Sequence, residues 1–318
     1  MPQSIPDPIL SIRSLRKSFG SLEAVKDLSL EVSRGEVFGF LGPNGAGKTT
    51  TIRMICGLLQ CDSGDVLLDG DNLKGNPKAF RRRIGFCPQE IVIWDNLTCL
   101  EQLTFVGTQY DLLRIEARRR SLELLGALGL SEKAGHRAGT LSGGMKRRLN
   151  LALALVHDPD LLILDEPQAG LDPQSRILVR EYIQATAETK TVLLTTHEMD
   201  EADRLAQRIG IIDHGSLLVL DSPGDLKRNY AGGEVLEIRV SHESADALAA
   251  FTTDLPPSAT CLESLPGTLR ISGPTLHHIL PVLLKKLESK GLDPLDLTIR
   301  KPTLEDVFIS LTGRGLRE

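Results

Sequence analysis

GPNGAGKTT, residues 42–50, sits between the apolar run EVFGFL (36–41) and TIRMICGLL (51–59). A strand running into a glycine loop and then a helix offers free backbone N–H groups and the positive end of a helix dipole to an anion. The stretch fits G-x-x-x-x-G-K-[ST], with Gly42, Gly47, Lys48 and Thr49 at the fixed positions. Glycine freedom lets the backbone wrap phosphates, with Pro43, Asn44, Gly45, Ala46 and Thr50 completing the cradle. Lys48 reaches the β and γ groups, and the Thr49 hydroxyl coordinates magnesium. The chemistry called for is a nucleoside triphosphate with a divalent cation.

Three further apolar runs share this design. RIGFCPQ (83–89) ends at Gln89, LLILDE (161–166) at Asp165 and Glu166, and TVLLTTH (191–197) at Thr195, Thr196 and His197. Continuous apolar strands separated by helical segments indicate a parallel sheet covered on both faces, hence an α/β fold. Ligands of such sheets bind beyond the carboxyl ends of the strands, so all four endings face one crevice. Asp165 is suited to hold magnesium through water, and Glu166 to polarise an attacking water as general base.

The bulk properties narrow the class. With 318 residues the chain has room for two domains, and 41% apolar and 25% charged residues are ordinary for a globular protein. A net charge of −5 speaks against general nucleic-acid binding. The five cysteines are Cys56, Cys61, Cys87, Cys99 and Cys261; they show no CxxC pairing and read as reduced, buried thiols. The opening MPQSIPDPIL lacks the basic start and apolar run of a signal peptide, and no apolar stretch approaches the ~20 residues that span a bilayer.

A second glycine pair occurs in LSGGMKRRLN (141–150), where Ser142, Gly143 and Gly144 open another helix. Taken in order, GPNGAGKTT, CPQE, LSGGM, LLILDEP, GLDP and TTHE resemble the ATP-binding subunits of ABC transporters, across roughly residues 8–222. The resemblance implies a P-loop NTPase cassette: a mostly parallel sheet, an N-terminal antiparallel β part and an inserted helical subdomain at about 95–150. It implies ATP with Mg2+, held by Thr49, Gln89 and Asp165. Glu166, His197, Gln89 and Lys48 would be the catalytic set, with His197 contacting the γ-phosphate and Phe19 of LRKSFG stacking on adenine. It further implies that Ser142, Gly143 and Gly144 close over the nucleotide of a partner ATPase subunit, with Asp172 of GLDP beside them. That makes a dimer obligatory during turnover, either of two copies of this chain, in which both composite sites are complete, or of this chain with a related one.

Thr98–Glu101 forms a T-x-x-E capping box that opens the helical region. By resemblance a groove there receives an integral membrane permease, a separate chain. Ile93 and Trp94 either line that groove or pack inside the subdomain. After residues 221–233 come a strand in VLEIRVS, a helix near 244–251, a strand in LRISG, a helix near 275–290, a strand in LDLTIR and a final helix capped by Thr303 and Asp306. These read as a small C-terminal α/β domain, 223–318, whose alternation suggests a ferredoxin-like topology. PTLEDVFISLTG resembles the ending of ATPases from the drug-resistance and lipo-oligosaccharide export branch, of the daunorubicin-exporter type. Such a domain either stabilises the dimer or binds a regulator or the permease.

Two positions depart from the commonest pattern. Gln168 stands where threonine is usual, and Met145 where glutamine is usual, although LSGGMKRRL resembles the form used within the same export branch. The reading is thus an exporter ATPase on the cytoplasmic face of the membrane, with no nucleic acid as partner. A soluble ABC ATPase acting on ribosomes or nucleic acid, or a regulatory nucleotide-binding subunit, is the alternative.

Overall fold

The structure is a computed structural model and describes residues 8–241 and 244–313. Most of the N-terminal stretch read for a leader, and the last residues of the tail, lie outside them. The chain divides into two compact units, Met1–Val219 and Leu220–Glu318.

In the first unit, β1 (Pro8–Phe19) and β2 (Leu22–Ser33) pair antiparallel, and β4 (Ser63–Leu68) with the short β5 (Asp71–Asn72) extends them to a sheet ordered β2-β1-β4-β5. These strands bury Ile12, Val25, Leu28 and Leu30 and leave Arg13, Asp27 and Glu31 outside. The second sheet contains β3 (Val37–Leu41), β6 (Ile84–Cys87), β7 (Leu161–Asp165), β8 (Thr191–Thr196), β9 (Arg208–Asp213) and β10 (Ser216–Asp221), in the order β10-β9-β3-β8-β7-β6. Every residue of β3, β7 and β8 is buried, as strands covered on both faces require. The pairs β3/β8, β8/β7 and β7/β6 are parallel, with Leu41 opposite Thr196, Asp165 opposite Thr195 and Cys87 opposite Leu164. This register brings the four polar endings out along one edge.

The helices of this unit follow the capping chemistry of the sequence. The helix α1 (Lys48–Ile55) starts directly from the glycine loop, and α2 (Pro77–Arg82) is capped by Asn76. Thr98 and Glu101 form both halves of the capping box that starts α3 (Cys99–Gln109), which packs against α4 (Arg114–Ala127). Ser142 caps α5 (Gly143–Leu155), accepting from the Met145 N–H, and Asp172 caps α6 (Pro173–Ala187) through the Ser175 N–H. A short α7 (Met199–Leu205) follows the end of β8.

The second unit opens with α8 (Pro223–Tyr230) and continues β11 (Glu234–Arg239), α9 (Ala245–Ala250), β12 (Thr260–Leu265), β13 (Thr268–Gly273), α10 (Leu276–Ser289), β14 (Asp296–Arg300) and α11 (Leu304–Thr312). Its sheet runs β12-β13-β11-β14 with every neighbour antiparallel, the β-α-β-β-α-β succession of the ferredoxin-like motif. Leu236, Ile238, Leu269 and Ile271 on one face of the sheet form a core with Leu276, Leu283 and Leu287 of α10. The strand β12 is absent from the sequence reading. It is an edge strand with no fully buried residue, so it lacks the apolar pattern that announces a strand. The same exposure corrects the cysteine reading: Cys56, Cys87 and Cys99 are buried, but Cys61 is only partly so and Cys261, on β12, is exposed.

Candidate functional site

The glycine loop needs its glycines for different reasons. Gly47 has φ 104°, and a Cβ there would stand 2.4 Å from the Ala24 carbonyl oxygen. Gly45 has φ 82° and nothing within 4 Å of where a Cβ would stand, so its backbone faces open space. The loop and Phe19, Gln89 and Glu166 line a cleft of about 330 Å3. Lys48 is buried and donates from Nζ to the carbonyls of Gly42 (2.5 Å) and Pro43 (2.9 Å). Burial pushes its pKa down, against the opposing pull of the Glu166 and Asp165 carboxylates. An ammonium held in this way is ready for phosphate oxygens.

Asp165 lies under the loop. Thr195 Oγ1 donates to Asp165 Oδ1 at 2.5 Å, and Thr49 Oγ1 to Oδ2 at 3.3 Å. A hydroxyl and a carboxylate meeting at a phosphate cradle form the all-oxygen donor set a hard divalent cation takes, so the residues present fit Mg2+.

Glu166 is 6% exposed and has φ 49°, the left-handed region that costs a non-glycine residue about 1–3 kcal/mol. Its N–H donates to the Thr195 carbonyl (3.1 Å) and hydroxyl (3.2 Å). Its carboxylate receives Gln89 Nε2 at 3.2 Å on one oxygen and meets His197 Nδ1 at 2.8 Å on the other. An ionised Glu166 places the imidazole proton on Nδ1. The three polar endings from β6, β7 and β8 therefore converge on one carboxylate.

Phe19, at the end of β1, is half exposed, with Lys17 Nζ 5.5 Å from the ring centroid. Asp62 holds this turn, accepting from Lys17 Nζ at 2.7 Å and from the Ser18 N–H at 2.6 Å. Ser142, Gly143, Gly144 and Asp172 stand apart from the cleft lining. Ser142 and Gly143 are exposed, whereas Gly144 is packed: a Cβ there would meet Ser175 Oγ at 2.6 Å and Asp172 Oδ2 at 3.3 Å. The LSGGM stretch, the signature loop of the ABC pattern, and the GLDP turn thus lean on each other through Gly144. Met145 is half-buried and only its N–H takes part in the cap. Gln168 is buried with both amide atoms unpaired, beside a cavity of about 10 Å3, room for one water. Trp94 packs edge-on against Phe105 and, with Val92, lines a groove of about 400 Å3; Ile93 lies outside that lining.

Two partners of the site are not evident from sequence. Thr195 reads only as a strand ending, yet it braces both carboxyl-bearing residues. Arg147, in MKRRL, is not singled out by residue type; it shares the buried stripe of Leu151 and Leu155, and that spacing is the available signal.

Residues 25–169 match the family described as ABC transporter. Over 311 residues the chain is 38% identical to the linearmycin resistance ATP-binding protein LnrL of Bacillus subtilis, covering 98% of this chain and all of that protein. It is 39% identical over 312 residues to the Nod factor export ATP-binding protein I of Ralstonia nicotianae, covering 98% and 96%. The chain belongs to the ABC transporter family. Among solved structures, an ATP-binding subunit of an ABC transporter superposes with a TM-score of 0.65 at 29% identity, over 70% of this chain and 93% of the other. The protein is an ATPase subunit that uses ATP with Mg2+. Among the described residues no helix is long and apolar enough to cross a membrane.

Proposed function

We propose that the cleft of this ABC ATPase hydrolyses ATP with Glu166 as general base, and that turnover drives an exporter. The observation that carries the proposal is the carriage of Glu166: buried, in a left-handed conformation, and gripped by the side chains of Gln89 and His197. In this reading Gly42, Pro43, Asn44, Gly45, Ala46, Gly47 and Thr50 cradle the phosphates and Lys48 neutralises them. Thr49, Asp165 and Gln89 would hold Mg2+, which when bound would supply charge neutralisation to the phosphates. Phe19 stacks on the adenine. His197, tied to Glu166, holds the position of the γ-phosphate.

Ser142, Gly143, Gly144 and Asp172 serve the nucleotide of a second ATPase subunit, a copy of this chain. Their separation from the cleft and the exposure of Ser142 and Gly143 support this assignment. ATP then favours the closed dimer because its phosphates interact with both subunits, and hydrolysis removes that differential affinity. The resistance and export named for the relatives support an integral membrane permease as the other partner, met by the groove at Trp94 on the cytoplasmic face. Residues 1–222 would form the ATP-binding domain, with its helical subdomain at about 95–150, and 223–318 an accessory domain.

Glu166→Gln tests the reading. It keeps the side chain's size and shape but removes the base, so ATP binding persists, hydrolysis falls by about 10²–10⁴, and an ATP-bound dimer accumulates on size exclusion. Near-normal turnover would remove Glu166 from the role.

A further inference from the structure

Arg147 lies in α5, five residues beyond the helix cap Ser142, and is 3% exposed. All its partners are main-chain carbonyls on two loops. From Nη1 it donates to Pro88 (2.8 Å) and Gln89 (2.6 Å), and from Nε to Pro167 (3.1 Å). From Nη2 it donates to Asp165 (3.0 Å) and Glu166. A guanidinium has five N–H groups in a rigid plane, and here its three nitrogens bridge the exits of β6 and β7.

These exits carry the two residues that meet at the reacting centre. The Glu166 peptide is held on both sides, its N–H by Thr195 and its carbonyl by Arg147, and this sustains the left-handed backbone that directs the carboxylate. The Gln89 carbonyl is held by the same guanidinium, while its side chain reaches Glu166 Oε2 at 3.2 Å. The remaining connection is to α5 itself, whose first turn presents Ser142 and Gly143 to solvent.

We propose that Arg147 is a positioning residue that holds Gln89 and Glu166 in mutual register and ties that register to the signature helix. A displacement of the Ser142 end of α5, such as engagement of a second subunit's phosphates would produce, is carried by the rigid helix to the guanidinium. From there it reaches both loops. The signature would then sense a phosphate on the partner and set the geometry of the base in its own subunit. This rests on the reading of Glu166 as base.

The test uses the full chain with Arg147→Ala and Arg147→Lys. In Arg147→Ala, affinity for a fluorescent ATP analogue stays within about threefold while kcat falls on the order of 100-fold, the cost of a base misplaced by about 1 Å. Millimolar guanidinium restores part of that kcat and leaves the wild type unchanged. Arg147→Lys, which keeps the charge with fewer donors, lies between, and carries the test alone if the alanine variant does not fold. Combining Arg147→Ala with Glu166→Gln lowers turnover no further than Glu166→Gln by itself, since both act through one group. Wild-type kcat in either variant, or a loss that follows melting temperature and resists guanidinium, overturns the proposal. If Glu166→Gln itself stays active, the reading of the site falls. If that variant is inactive while Arg147→Ala turns over normally, only the present inference falls.

Discussion

Two sets of buried or half-buried carboxylates, one in each unit, are held in opposite ways. In the first, Asp165 and Glu166 are met by hydroxyls, an amide and an imidazole: Thr49, Thr195, Gln89 and His197. In the second, Asp306 receives both Nη atoms of Arg300, and Glu237 and Glu263 share Arg270. A carboxylate paired with a guanidinium has its charge cancelled within the fold, and its role is structural. One held by neutral donors is oriented while its charge stays available to a cation or a water. The difference in partner chemistry separates the acids proposed to work on the nucleotide from those paired within the fold.

The contrast can be broken by substituting one acid of each kind. Asp165→Asn should lower kcat by about 10³, in the range seen when an oriented charge is removed from a reacting centre, with little loss of melting temperature. Asp306→Asn should do the reverse. It leaves Arg300 without its partner and weakens the Thr303 cap, costing about 3–5 kcal/mol in the second unit, as measured by hydrogen exchange over residues 234–312. ATPase activity should hold wherever that unit remains folded. A large stability loss in the first variant, or lost turnover in the second, would erase the distinction.

Acid titration gives a smaller but sharper comparison. His157 stacks on Tyr110 at 3.8 Å between ring centroids, and Nε2 meets the Ile84 carbonyl at 3.0 Å. Burial lowers its pKa to about 4. The unfolded chain binds this proton near pH 6.5 and the folded chain does not. Stability present above 6.5 is therefore lost as pH falls toward 4, by about 2 kcal/mol after allowance for partial exposure. Burial raises the Asp306 pKa, but bonds from Arg300 and Thr303 outweigh it, so its folded value lies below the usual range. Its contribution is complete above about pH 3.9 and is lost only as pH falls through the depressed folded value. The first unit should thus weaken first, read by the fluorescence of Trp94, the sole tryptophan. His157→Gln should flatten that early slope.

How much of this is legible in the sequence depends on whether a feature is local in the chain. The cradle, the caps at Thr98, Ser142 and Thr303, and the buried strands of the parallel sheet follow from residue type and spacing, because each is built from neighbours in sequence. The strand β12 is not legible, since an edge strand without buried residues satisfies no periodic rule. Nor is the difference between Gly143 and Gly144: identical in sequence, one faces open space and the other packs against Ser175.

The amino-acid sequence by itself determined the family, the nucleotide chemistry and which strand ends would carry polar groups. Those are properties of short segments whose physics is complete within a few residues. Only the tertiary structure decided that Gln89, His197 and Thr195 converge on Glu166 and Asp165, and that Arg147 spans two loops. These contacts join residues from 18 to 77 positions apart, and only the register of parallel strands brings such residues within hydrogen-bonding distance.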